Sequence, residues 1–144
     1  MTNKINKIDP TQDLTPGKTE QFADFLFQHL GEFRDPRDDI VEALTYAREK
    51  GGWIYTLEQR DQLAAVCVIL DTGMKKFVPR NFLVYIAVDS ERRGGGLGRT
   101  LIETIQNELG SSISLHVEHD NPAKRLYERL GFTSKYAEMR WSGR

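Results

Sequence analysis

Ile86-Ala-Val-Asp-Ser-Glu-Arg-Arg-Gly-Gly-Gly-Leu-Gly-Arg-Thr-Leu101 is the stretch that decides the fold. An apolar strand runs into a turn carrying Gly94, Gly95, Gly96 and Gly98, and a helix with the stripe Leu97, Leu101, Ile105 and Leu109 opens inside that turn. The first amides of a helix lack intrahelical partners and lie at the positive end of its dipole, which makes the spot an anion site. Glycine lets the backbone approach a phosphate closely and adopt dihedrals closed to other residues. Arg92, Arg93 and Arg99 add positive charge around it. Two phosphate motifs are excluded. No Gly-Lys-Ser/Thr precedes the helix, as a Walker loop requires. Counted from Gly94 and Gly96, the last glycine of a dinucleotide fingerprint would fall on Arg99.

Upstream, a short strand is predicted at Ile5–Ile8 and a polar loop follows through Pro16-Gly17. Phe22, Phe25, Leu26, His29 and Leu30 recur at helical spacing, with Gly31 placed to end that helix. Asp35-Pro36 reads as an N-cap and first helical position, before the stripe Ile40, Ala43, Leu44 and Ala47 and the stop Gly51-Gly52. Trp53, Tyr55 and Leu57 alternate and Leu63–Leu70 is a nearly continuous apolar run, with a break short enough for a hairpin. A basic loop, Asp71–Arg80, leads to the strand Phe82–Val88.

Downstream, Gly110 closes the glycine-turn helix. Ile113, Leu115 and Val117 form one face of a strand, and Ser114, His116 and Glu118 the other. Asn121-Pro122 starts a last helix that Gly131 ends, and Phe132–Trp141 is predicted as one or two closing strands. The order is β-α-α-β-β-β-α-β-α-β, an α/β or α+β fold with a mixed sheet: an antiparallel meander followed by a crossover.

The 144 residues fit a single domain over 1–144, with 39% hydrophobic and 28% charged residues. A net charge of −1, from 20 basic and 21 acidic residues, argues against a general electrostatic grip on nucleic acid or an acidic membrane. The one cysteine, Cys67, cannot form an intrachain disulfide and lies in an apolar run, where a buried inert thiol is expected. The N-terminal residues carry no apolar stretch of a secretory signal, and no segment approaches the ~20 apolar residues that span a bilayer. A cytoplasmic location is the expectation. The three histidines show no metal-ligand spacing, so no metal site is predicted.

Arg93-Gly-Gly-Gly-Leu-Gly98 resembles the Arg/Gln-x-x-Gly-x-Gly/Ala signature of the GCN5-related N-acetyltransferases (GNAT), between the fourth strand and third helix as in that family. Leu115-His-Val-Glu-His-Asp-Asn-Pro-Ala-Lys-Arg-Leu-Tyr-Glu-Arg-Leu-Gly-Phe132 resembles the family's Asn-x-x-Ala-x-x-Leu-Tyr-x-x-x-Gly-Phe segment. In one departure, Ala123 follows Asn121 by two residues rather than three, and Lys124 takes the alanine slot. The resemblance covers about 82–132 closely and the element order loosely.

It implies acetyl-coenzyme A as cosubstrate, its pyrophosphate on the amides of Arg93, Gly94, Gly95, Gly96, Leu97 and Gly98, beside Arg99. It also implies a fourth strand splayed from the fifth, with the pantetheine arm pairing near Ile86 and Val88 and touching Asn121, itself a candidate N-cap. Tyr127 lies on the stripe Ala123, Leu126, Leu130, where packing accounts for it; the resemblance instead makes it the acid that protonates the departing thiolate.

Some relatives place a glutamate on the fourth strand as base, and the matching position here is about Phe82. The remaining candidates are His116, whose ordinary pKa is near 6.5, and Glu118, and each also reads as a solvated strand residue. The acceptor is expected to be an amine of a peptide, polyamine or small metabolite, bound between about 19–50 and 132–144. Phe33, Arg34 and Arg37 lie in the loop between the first two helices and are candidates to line it. The chain is expected to be a monomer or homodimer. Rival expectations are an acetyl-coenzyme A sensor and an interaction module without turnover.

Overall fold

The computed structural model describes residues 2–144. Five strands form one sheet in the order β1-β2-β3-β4-β5: β1 (Asn3–Ile8), β2 (Gly52–Gln59), β3 (Gln62–Asp71), β4 (Asn81–Val88) and β5 (Ile113–Leu115). The first four are antiparallel neighbours, and β5 runs parallel to β4. β2 and β3 close on Arg60 and Asp61, both at positive φ, the two-residue hairpin turn whose twist matches that of the strands.

The sheet carries two apolar layers. Ile54, Val66, Val68, Tyr85 and Ala87 face α2 (Pro16–His29) and α3 (Arg37–Glu49), against Phe22, Leu26, Ile40 and Leu44. Tyr55, Leu57, Cys67, Ile69 and Leu83 face α4 (Leu97–Leu109), against Leu97, Leu101 and Ile105. α5 (Ala123–Arg129) lies beside α4, where the Gln106 side chain donates to the Leu130 carbonyl at 3.0 Å. The α/β mixed-sheet class read from the sequence is the class observed.

Four local expectations are corrected. A one-turn helix, α1 (Pro10–Asp13), interrupts the first loop, capped by Asp9 with proline at its first position. Asp35 does not cap α3: the helix begins at Arg37 after Pro36, and the Asp35 carboxylate instead accepts from the Tyr85 hydroxyl at 2.6 Å. β5 stops at Leu115, so His116, Val117 and Glu118 lie beyond it. Residues 132–144 hold no strand and leave Tyr136, Met139 and Trp141 exposed.

Candidate active site

The glycine turn is anchored from behind. β4 ends with the Asp89 amide on the Ala64 carbonyl at 2.8 Å, and the Asp89 carboxylate caps the next turn by accepting from the Glu91 amide at 2.9 Å. Arg92 bonds to Asp89, Gln59 and Gln62, and the Arg93 guanidinium is on the His29 carbonyl at the end of α2. The Arg99 side chain pairs with Glu103 at 2.9 Å. The arginines thus fix the turn's shape as well as charging it. Gly96, at φ 76, caps α4, and Gly94 stands at φ 87. An added Cβ on either would meet nothing within 4 Å, so both border open space. Among the described residues, no amide from Arg93 to Arg99 has a partner in the protein. A run of free N–H groups at the start of a thirteen-residue helix is the geometry that receives phosphate oxygens.

The Asp89 carboxyl is held below its ordinary range, first by the Glu91 amide and then by the Arg92 guanidinium. A depressed carboxylate contributes stability above its unfolded value of about 3.9, lost as pH falls through the lower folded value. Wild type is therefore expected to lose Tm more steeply below about pH 4 than Asp89→Asn, measured by melting curves at matched ionic strength.

Beside the turn, the sheet opens. β5 pairs only with Asn81, Phe82 and Leu83, where Asn81 also ties to Ser111 and Ser112. One step on, the β3 register jumps so that Val84 is an extra residue on β4. A bulge bends its strand and raises the local twist, which turns β4 away from β5 at this point. From Val84 to Val88 the strand has no neighbour on that side among the described residues. Asp89 points its amide at β3, so by antiparallel alternation Ala87 and Tyr85 do likewise, while the backbone groups of Ile86 and Val88 face the gap.

Tyr127 stands on α5 with its ring edge-to-face on Phe132 at 5.8 Å and only 8% of its surface exposed. Its hydroxyl has no protein partner among the described residues. Burial, and secondarily Cys67, push the phenol up to about 12, so it stays protonated through neutral pH. Cys67 is fully buried and its thiol is raised by that burial, the inert state expected from the sequence. Gly98 packs between Val88 and Leu126, each 3.7 Å from where its Cβ would lie, and so joins the turn, β4 and α5.

His116 is exposed and meets the Phe82 ring edge-on at 5.0 Å, just past the end of β5. Glu118 is exposed too, and its carbonyl accepts from the Asn121 amide at 3.0 Å. The Asn121 side-chain oxygen accepts from the Ala123 amide at 2.9 Å, but Pro122, and not Asn121 as the sequence suggested, stands at the cap position of α5. Of the residues read as the loop between α2 and α3, Arg37 instead opens α3 and is drawn back to Glu20 and Asp24, and Arg34 lies over the Phe27 ring at 4.1 Å. Two contributors escaped the sequence reading. Buried His29 accepts from the Ser90 amide at 3.1 Å, coupling α2 to the turn, and its place on an apolar stripe gave only a packing signal. Tyr85 read simply as a strand residue.

The Acetyltransferase (GNAT) domain matches residues 50–134. A 5-NmdU N-acetyltransferase from Pseudomonas phage PaMx11 is 34% identical over 84 residues, 57% of this chain and 58% of that enzyme's length. The fold is shared with a GNAT family acetyltransferase from Streptococcus pneumoniae TIGR4, at TM-score 0.72 and 16% identity over 99% of each chain. It is also shared with a ribosomal-protein-alanine N-acetyltransferase from Brucella melitensis biovar Abortus 2308, at TM-score 0.71 and 17% identity over 99% of this chain and 100% of that one. Among the described residues, no helix is long and apolar enough to cross a membrane.

Proposed function

We propose, since this chain belongs to the GNAT acetyltransferase family, that it moves an acetyl group from acetyl-coenzyme A to a primary amine by direct attack. The observation that carries the reading is the open edge of β4, with the free amides of the glycine turn at one end, where Gly98 packs between Val88 and Leu126 of α5, the helix that carries Tyr127. The donor-rich turn fits a pyrophosphate, and the free backbone groups of Ile86 and Val88 fit the amides of a pantetheine arm, with Asn121 and Arg99 at its border.

The amine nitrogen forms its bond to the thioester carbonyl carbon as the carbon–sulfur bond breaks. Tyr127 gives its proton to the leaving sulfur, and the proton that the newly acylated nitrogen sheds restores the phenol, directly or through water. A phenol near 12 is a weaker acid than an ordinary one by about two units, roughly 3 kcal/mol. The same dry surroundings raise the proton affinity of the thiolate, which offsets that loss.

The amine must first lose a proton. For a lysine-like amine of pKa ~10.4 this costs about 4.6 kcal/mol at pH 7, and for an α-amine of ~8 only about 1.4. Phe82 cannot serve as base, which leaves His116, Glu118 through water, or bulk solvent as the routes.

Measured on a lysine-like amine, kcat/KM is expected to rise with pH toward the acceptor's own pKa. Because Tyr127 stays protonated to about 12, it imposes no alkaline fall below that. His116→Ala is expected to lower kcat/KM and to change the shape of its pH profile if the imidazole is the base. Superimposable profiles of equal magnitude would take His116 out of the mechanism.

A further inference from the structure

On β4, Tyr85 faces α2 and α3, whereas Leu83, Ile86 and Val88 face α4. Phe82, which precedes Leu83, and His116, which follows Leu115, meet on the same side as Tyr85. Tyr85 lies three positions beyond Phe82, at most about 10 Å of strand. The Tyr85 ring is 91% buried, so its hydroxyl position is set by the core, and it donates to Asp35 Oδ2 at 2.6 Å. Asp35 is exposed in the loop between α2 and α3, and its other oxygen, Oδ1, has no partner among the described residues.

The cations nearest in sequence are engaged elsewhere, Arg37 with Glu20 and Asp24, and Arg34 with Phe27. Burial, then Asp35, Asp39 and Glu42, raise the Tyr85 phenol, which keeps it a donor to Asp35 at all working pH values. A carboxylate with one oxygen fixed by a core phenol and the other open, on the face that carries His116, is set to receive a positive charge.

We propose that Asp35 is a specificity-determining residue that binds a second positive charge on the acceptor, with Tyr85 as its positioning residue, so that dicationic amines are preferred over monoamines. The proposal rests on the acetyl-transfer reading for its assay but predicts binding independently of it. Opposite ends of the site then carry opposite charge: arginine and free amides toward the anionic coenzyme, Asp35 toward the cationic acceptor.

The test compares 1,5-diaminopentane with pentylamine, which differ in the second charge, by thiol release from acetyl-coenzyme A. Wild type is expected to favour the diamine by about fivefold in kcat/KM, the upper range for one exposed ion pair. In Asp35→Asn that preference falls toward one through a higher KM for the diamine. Asp35→Glu restores it in part, and Tyr85→Phe reduces it by less than Asp35→Asn does. A wild-type preference near one, or an unchanged preference in Asp35→Asn, overturns the proposal. Should wild type acetylate neither amine, calorimetric binding of the diamine decides. Weaker binding to Asp35→Asn than to wild type upholds the role of Asp35 while the transfer reading fails. Absence of binding to wild type overturns the proposal. If Asp35→Asn does not fold, the same measurements on Asp35→Glu and Tyr85→Phe stand in its place, with unaltered preference in both counting against it.

Discussion

Tyr127→Phe is expected to lower kcat by about 10²–10⁴-fold, the ordinary worth of general acid catalysis, with acetyl-coenzyme A affinity nearly unchanged. The variant removes one hydroxyl that has no protein partner and keeps the ring on Phe132, so neither packing nor the glycine turn is disturbed. Its Tm should stay within a few degrees of wild type, because no internal hydrogen bond is lost. The split between kcat and affinity is the diagnostic part. A packing residue would alter stability first, whereas an acid alters turnover first. Wild-type kcat in the folded variant would return Tyr127 to the core and leave the thiolate to depart unaided.

The second large effect lies at the other end of the cleft. Gly96→Val is expected to weaken acetyl-coenzyme A binding by at least about a hundredfold. The left-handed backbone at Gly96 costs a β-branched residue roughly 1–2 kcal/mol, and its side chain would project into the open space over the free amides. Losing two charge-assisted hydrogen bonds, each about 1.5–3 kcal/mol, accounts for an effect of that size. Gly110→Val is the control. Gly110 ends α4 at φ 60 with equally open surroundings, so the variant should lose similar stability without losing affinity. Equal affinity loss in both variants would mean that α4 stability is being measured, and not the phosphate cradle.

Much of this was legible in the chain because glycine positions and apolar periodicity report local geometry directly. Gly31, Gly110 and Gly131 end their helices in the left-handed region, as their places after apolar stripes implied. The glycine turn sits between β4 and α4 where the strand–turn–helix pattern put it.

The misses have one physical source. Alternation shows that a segment has two different faces but not whether a neighbouring strand exists to pair with it. Ser114 to Glu118 alternates, yet β5 ends at Leu115 because β4 bends away at the Val84 bulge and offers nothing across from it. The segment after Phe132 has strand-forming residues but pairs with no edge of the sheet, and Tyr136 and Trp141 remain exposed. Asp35 looked like a helix cap because Asx-Pro often is one. A phenol fifty residues away captured its carboxylate, and no local pattern carries that information. The same holds for His29, whose bonds to Ser90 and Arg93 form only once α2 lies beside the end of β4.

Transfer itself is tested most directly by following the acetyl carbon. Acetyl-coenzyme A labelled with carbon-13 in the acetyl group is incubated with the wild-type chain and 1,5-diaminopentane, and both the label and free thiol are measured over time. The account predicts labelled N-acetyl product forming in step with free coenzyme A, and both slowing together in Tyr127→Phe. Thiol release with the label recovered as acetate, or release equal in Tyr127→Phe and wild type, would contradict it.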